Sequence, residues 1–181
     1  RSGLHTLAAR LGADVPFAIE GGTDVGTGSG DELSPALATG GFHWVLALSD
    51  SGLSTPVVYR TLDQHREDYI VDLGPQPDLV KVDTAVLQAV RVGDAGSLAD
   101  AMHNDLQVAA LRLAPELTAL LELGESRGAL SGIVSGSGPT VAFLVGSSQE
   151  AAELLGVLTR AGHRALTVTG PVAGARVLDA H

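Results

Sequence analysis

Ile133-Val134-Ser135-Gly136-Ser137-Gly138-Pro139-Thr140-Val141-Ala142-Phe143-Leu144-Val145 is the stretch that decides the fold. Two apolar runs, Ile133-Val134 and Val141 to Val145, read as strands, and only Ser135 to Thr140 lies between them. A connection that short joins antiparallel neighbours, because a parallel crossover needs about a dozen residues or more. Working outward, Trp44 to Leu48 reads as a buried strand closed by Ser49-Asp50-Ser51-Gly52. Downstream, Ser147-x-x-Glu150 is a capping box that opens a helix through Leu158, and Gly162 ends it. Ala165 to Thr169 follows as a strand, and Ala175 to Leu178 as a last one. Strands at 44–48, 132–134, 141–145 and 165–169, with helices between them, predict an α+β fold. In it an antiparallel sheet is covered by helices on one face.

The intervening stretch reads as helices. Ser54-Thr55-Pro56 starts one, with Pro56 at its first position and Val58 and Leu62 on its apolar face. Residues 66 to 82 are polar, contain Gly74, Pro75 and Pro77, and read as a mobile loop. Asp83 caps a helix over Ala85, Val86, Ala89 and Val90. Ser97 starts another, carrying Leu98, Ala101, Met102, Leu106 and Ala109 on one face, and Pro115 opens a third with Leu117, Leu120 and Leu121. Near the N-terminus Leu4, Leu7, Ala8 and Leu11 fall at helical spacing before Gly12. That helix has no visible start signal, which suggests truncation. Val15 to Ile19 reads as a strand, Gly21-Gly22 as a turn, and Thr23 to Thr27 as its hairpin partner. Gly26 to Asp31 is a flexible turn, and Ser34-Pro35 to Gly40-Gly41 a linker.

Composition bounds the function. The 181 residues suffice for one domain or one and a half. Hydrophobic residues make up 45% and aromatics only 3%, so the core is built from Leu, Val and Ala. The net charge of −10, with no run of Lys or Arg, argues against wide contact with a nucleic-acid backbone. A small anionic substrate stays compatible, since backbone N–H groups hold phosphate without net positive charge. Without cysteine there are no disulfides or thiolate metal sites. No apolar run approaches the roughly 20 residues of a membrane span. Arg1 to His5 do not form a signal peptide. A soluble cytoplasmic protein is the expectation.

Several stretches could carry chemistry. Asp14, in Gly12-Ala13-Asp14-Val15-Pro16-Phe17, is either a general base for a substrate hydroxyl or a turn residue bonding nearby backbone. Ser135, Gly136, Ser137, Gly138 and Thr140 either form an anion nest with added hydroxyl donors or a plain glycine-rich hairpin. The stretch has no Walker lysine and does not match a dinucleotide fingerprint. Gly26 to Gly30 fits such a fingerprint even less. Thr55 lies at a helix start that could hold an anion, and Tyr59, one turn on, either stacks on a base or packs. His103 and Asn104 read as residues on a helix face, and no pair of histidines has metal-ligand spacing.

The order of these segments carries more than any one of them. Gly12 to Phe17, Gly21-Gly22-Thr23, Gly26-Thr27-Gly28, Ser54-Thr55-Pro56, Asn104-Asp105-Leu106 and Ser135 to Thr140 together resemble the C-terminal part of the GHMP small-molecule kinases. The resemblance runs from about Leu4 to Leu178, and its most specific parts are the first and last segments. The Ser-Thr-Pro-x-x-Tyr element resembles the branch of the non-mevalonate isoprenoid pathway that acts on a cytidine diphosphate-linked methylerythritol, rather than homoserine or mevalonate kinases. The resemblance implies ATP-dependent phosphorylation of a hydroxyl on the methylerythritol moiety. It implies Asp14 as the catalytic acid, Ser135 to Thr140 beside the phosphate-binding region, and Thr55 and Tyr59 on the substrate-side helix, with the Tyr59 ring against cytosine. It further implies a ferredoxin-like GHMP C-terminal domain at 41–181, with the last helix and hairpin of the N-terminal domain at 1–40.

The chain departs from the pattern in one respect. The family's N-terminal lysine, its substrate-binding His and Tyr and its long phosphate loop are not in these residues, and Lys81 is the only lysine. The reading is therefore of a C-terminal portion that is inactive alone. Mg²⁺ would be bound mainly through the preceding domain, and no metal ligand is assigned here. Another small-molecule GHMP kinase and a non-catalytic binding or dimerisation module are the alternatives. A homodimer is left open, because a face uncovered by a preceding domain would be apolar and prone to association.

Overall fold

The computed structural model describes residues 2–12, 14–28, 30, 32–73 and 82–176. The chain begins with helices α1 (Ser2–Leu11) and α2 (Val15–Glu20), then strands β1 (Asp24–Thr27) and β2 (Glu32–Pro35). Strand β3 (Phe42–Leu48) is followed by helices α3 (Thr55–Leu73), α4 (Thr84–Val92), α5 (Ala95–Ala101), α6 (Gln107–Leu113) and α7 (Glu116–Ser126). Strands β4 (Ser131–Val134) and β5 (Val141–Val145), helix α8 (Ser148–Arg160) and strand β6 (Arg164–Gly170) complete it.

The short turn after Val134 does what its length requires. β4 and β5 pair antiparallel, with Ser131 opposite Leu144 and Val134 opposite Val141. β3 pairs antiparallel with both β5 and β6, so the sheet runs β4-β5-β3-β6. That is the ferredoxin-like order, with the first and third of the four strands in the centre.

Alternation along the central strands sends Val45 and Ala47 of β3 to the same face as Val141, Phe143 and Val145 of β5. These residues pack on Leu117, Leu120 and Leu121 of α7 and on Ala151, Leu154 and Leu158 of α8. Phe143 is fully buried. Its ring lies over Gly124 and Gly132, where an added Cβ would collide with the ring.

The expectation of helices on one face needs correction. Phe42 and Leu144 point to the opposite face and are buried against Ala89 and Val90 of α4 and Leu98 and Ala99 of α5. The central strands are thus apolar on both faces, and the second face must also be covered. Asp94 caps α5 through the Gly96 and Ser97 amides at 3.0 and 3.3 Å. The Ser97 hydroxyl, donating at 2.7 Å, is the main reason the Asp94 carboxyl titrates below its usual value. The helix expected to start at Ser97 therefore starts at Ala95. It also stops at Ala101, and α6 begins only at Gln107, so the helix expected through Ala109 is two helices.

Three further expectations are corrected. Val15–Glu20 is a helix, not a strand. Pro16 falls in the first turn, where a missing N–H costs nothing because that donor has no intrahelical partner. The Thr23–Thr27 stretch still enters a hairpin, but its partner is β2, with Asp24 opposite Pro35. The linker is shorter than expected, since Ser34 and Pro35 belong to β2. Residues 66–73, expected as loop, continue α3, because the Gly and Pro that marked a loop begin only at Gly74. Residues 74–81 lie outside the described residues, as do Val177 and Leu178 of the expected last strand, whereas Ala175 and Arg176 are not in a strand.

The N-terminal segment docks on the chain's other end. Gly21 bridges Ala173, the Gly22 amide donates to Val172 O at 2.8 Å, and Ala175 N to Ala18 O at 3.3 Å. A Cβ on Gly174 would strike the Ile19 carbonyl. Gly174→Ala is expected to loosen this contact without touching the sheet. Amide exchange should rise at Gly22 and stay unchanged in β3 and β5. By contrast, Leu4, Leu7 and Leu11 of α1 are exposed by 53, 56 and 80%, and only Ala8 of that helix's apolar stripe is buried. Among the described residues no helix is long and apolar enough to cross a membrane.

Candidate functional site

The glycine-rich turn is held at both its stem and its tip. At the stem, Ser135 N–H donates to Thr140 O at 2.8 Å and Gly138 N–H to Ser135 O at 2.9 Å. Gly136 and Gly138 have φ of +57° and +78°, a region that side-chain-bearing residues rarely enter. The Gly138–Pro139 peptide is cis. The Gly136 and Ser137 amides make no hydrogen bond among the described residues, and Ser135 and Gly136 are exposed. Two free amides on such a turn, with the hydroxyls of Ser135, Ser137 and Thr140, suit an anionic oxygen.

At the tip, Ser137 Oγ lies 2.8 Å from Thr55 Oγ1. This bond joins residues 82 positions apart. Thr55 is the first residue of α3, so Pro56 is the second, and the Ser54 carbonyl accepts from the Val57 and Val58 amides. Helix α3 is anchored by buried Val58 and Leu62, which pack with Ala109 of α6. That packing turns Thr55 toward the turn and leaves Tyr59, one turn along, 53% exposed. Tyr59 is thus not part of the core among the described residues.

Asn104 and Gln107 also reach the turn, and the sequence reading missed their part. Val134 is on the edge strand of the sheet, and its N–H and C=O both point away from β5. Gln107 Oε1 accepts the Val134 amide at 2.8 Å. Asn104 Nδ2 donates to Val134 O at 2.8 Å and to Gly136 O at 2.7 Å, while its Oδ1 accepts the Leu106 amide at 2.9 Å. Asn104 therefore does not sit on a helix face, as expected, but in the break between α5 and α6. The signal was an Asn, a residue that competes with helix through its own side chain, inside an otherwise helical pattern. His103 is exposed and 3.9 Å from Asp105, which Arg66 of α3 meets at 3.2 Å. These surface pairs contribute little.

Asp14 makes no side-chain hydrogen bond to this cluster among the described residues. It precedes α2 as its N-cap residue, is exposed, and makes no cap hydrogen bond with its side chain. The structure brings Thr55, Ser135 to Thr140 and Asn104 together, with Tyr59 one turn from Thr55, and places Asp14 on the N-terminal segment. A cleft of about 740 Å³ runs between that segment and residues 171–176, lined in part by His5, Glu20 and Val172, with His5 Nε2 3.0 Å from Glu20 Oε1. It includes neither Asp14 nor the turn. Gly26 lies in β1, Gly28 and Gly30 fall between β1 and β2, and strand β2 rather than a helix follows. Among the described residues no group of three or more His, Asp or Glu side chains could hold a metal ion.

This sheet order, with a turn of small residues held by α3 and by the α5–α6 break, defines an α+β domain with a candidate anion site at the end of an edge strand. Residues 86–164 match the family of GHMP kinases, C terminal. The chain carries a GHMP kinase C-terminal domain. It is 57% identical, over 99% of its length, to a 4-diphosphocytidyl-2-C-methyl-D-erythritol kinase of Leifsonia xyli subsp. xyli, of which it spans 58%. It is similar to a crystal structure of 4-(cytidine 5'-diphospho)-2C-methyl-D-erythritol kinase, at a TM-score of 0.71 and 31% identity, over 92% of this chain and 56% of that one. A homoserine kinase from Cytophaga hutchinsonii shares the fold at a TM-score of 0.63 with 13% identity, over 88% of this chain and 51% of that one. The chain thus spans somewhat more than half the length of the two methylerythritol kinases.

Proposed function

We propose that this chain is the C-terminal portion of an ATP-dependent kinase that phosphorylates 4-diphosphocytidyl-2-C-methyl-D-erythritol. The observation that carries the reading is the Thr55–Ser137 hydrogen bond. It joins the start of the substrate-side helix to the glycine-rich turn, the two segments that the activity needs side by side. Similarity to kinases named for that substrate supports it. Residues 1–40 are assigned to the end of an N-terminal domain and 41–181 to the C-terminal domain. The exposed Leu4, Leu7 and Leu11 stripe is compatible with a further domain packing there.

In this reading Asp14 accepts the proton of the methylerythritol hydroxyl as that oxygen attacks the γ-phosphorus of ATP. The P–O bond to the β-phosphate breaks, and ADP leaves. A dissociative transfer of this kind is governed by alignment and charge stabilisation, so the remaining residues position rather than react. The turn from Ser135 to Thr140, with Ser137, Gly138 and the free Gly136 amide, stands beside the transferred phosphate. Thr55 and the exposed Tyr59 face the cytidine end. Mg²⁺ accompanies ATP; its ligands are assigned to the preceding domain, and no step is routed through it.

Tyr59 gives the direct test of substrate class. In a protein that includes the preceding domain, Tyr59→Ala should raise KM for the cytidine substrate about tenfold, with KM for ATP unchanged. One lost base–aromatic stack costs about 1–3 kcal/mol, which covers that factor. Isothermal titration with the cytidine substrate and with a uridine analogue reads the same contact. Equal affinities for the two, unchanged by the substitution, would remove the cytidine assignment.

A further inference from the structure

We infer that Asn104 is a positioning residue, whose side chain sets the Ser135–Thr140 turn in the geometry that receives phosphate. The inference rests on the kinase reading above. The amide of Asn104 uses every group it has: Nδ2 bridges Val134 O and Gly136 O at 2.8 and 2.7 Å, and Oδ1 caps the Leu106 amide at 2.9 Å. The two acceptors flank Ser135, so the bridge fixes where the strand ends and where the turn begins. Gln107 takes the remaining group of Val134, its N–H, at 2.8 Å. Together they complete the polar edge of β4, where neither group has a strand partner. They leave the Gly136 and Ser137 amides uncommitted.

The local structure departs from regularity to make this bridge. The apolar spacing of Leu98, Ala101, Met102, Leu106 and Ala109 favours one continuous helix, yet residues 102–106 are not helical. Within a continuous helix the backbone would take the Leu106 amide, and the Asn104 side chain would lie along the helix. The break directs it to the turn. A local conflict with helical pattern at a polar residue that serves a turn is the signature expected of a functional position. The turn is thus pinned on two sides by groups from different elements. Asn104 holds its start from the α5–α6 break, and Thr55 holds its tip from α3.

The substitution Asn104→Ser separates this role from helix capping, because a serine hydroxyl can still accept the Leu106 amide but cannot span Val134 O and Gly136 O. In this chain, amide hydrogen exchange at Ser135 and Gly138 should quicken at least tenfold in Asn104→Ser, with exchange in β5 unchanged. Unchanged exchange at Ser135 and Gly138 would overturn the inference. In a protein that includes the preceding domain, the same substitution should raise KM for ATP about tenfold or lower kcat by a similar factor, and leave KM for the hydroxyl substrate within twofold. Quickened exchange with unaltered ATP kinetics would confine Asn104 to a structural role and overturn the positioning role. A wild-type protein of that length that transfers no phosphate would instead remove the kinase reading, with the exchange result standing by itself.

Discussion

Asp14→Asn, in a protein that includes the preceding domain, is expected to lower kcat by about 10² or more while KM for both substrates stays within about threefold. The amide cannot take the proton that the carboxylate takes, yet it keeps the size and the hydrogen-bonding reach of the side chain. A factor of 10² corresponds to about 2.7 kcal/mol of transition-state stabilisation. Asp14 is exposed and makes no cap hydrogen bond, so the substitution removes no fold-stabilising contact. A thermal melt within 2 °C of wild type, on the order of 1 kcal/mol or less, would separate chemistry from stability. A fall in kcat and kcat/KM by the same factor identifies an interaction made in the transition state. Retained kcat would end the assignment of Asp14 as base and leave the turn reading of Gly12 to Phe17.

The second large effect concerns the core. Phe143→Ala is expected to destabilise the chain by about 3–5 kcal/mol, the range for a deleted buried aromatic side chain. The site cannot easily collapse, because the ring fills a space bounded by Gly124, Gly132 and Leu121, and neither glycine carries a side chain that could move in. Against a total stability of about 5–15 kcal/mol, such a loss brings the fold near its limit. Gly124→Leu attacks the same contact from the other side, since its Cβ and branch would occupy the volume of the ring. Urea denaturation should show a lower midpoint with unchanged slope for Phe143→Ala. A loss below about 1 kcal/mol would mean that the Phe143 pocket is not the centre of the core.

What the sequence revealed of this fold depends on how local each signal is. The β4–β5 hairpin was legible because Ser135 to Thr140 is too short for anything but an antiparallel connection, and Val141 to Val145 is apolar throughout. The Ser147–Glu150 capping box was legible because its residues are near neighbours: Ser147 Oγ accepts the Glu150 amide at 3.2 Å. Its return bond goes to the Gly146 amide, at 2.7 Å, one residue earlier than the motif describes. Val15 to Ile19 misled because its β-favouring Val, Phe and Ile outweighed the position of Pro16, and tertiary context overrode that propensity. The second face of the sheet was hidden for a similar reason, since Phe42 and Leu144 call for a cover that only α4 and α5, distant in sequence, provide.

For the candidate site, Thr55 and Ser135 to Thr140 could be named in advance but not joined, because their hydrogen bond spans 82 positions. The part played by Asn104 was invisible for the same reason. Its partners, Val134 and Gly136, lie 30 and 32 residues away. Asp14 remains the residue whose role rests on family order and not on a contact within this chain.

The most direct test of the kinase account is phosphoryl transfer from ATP to 4-diphosphocytidyl-2-C-methyl-D-erythritol, followed by phosphorus NMR. Two proteins are compared: this 181-residue chain, and the same chain preceded by the N-terminal domain proposed above. The account predicts a phosphorylated product and ADP in equal amounts from the longer protein, and no turnover from the shorter one. Turnover by the 181-residue chain at a rate near that of the longer protein, or none by either, would contradict it.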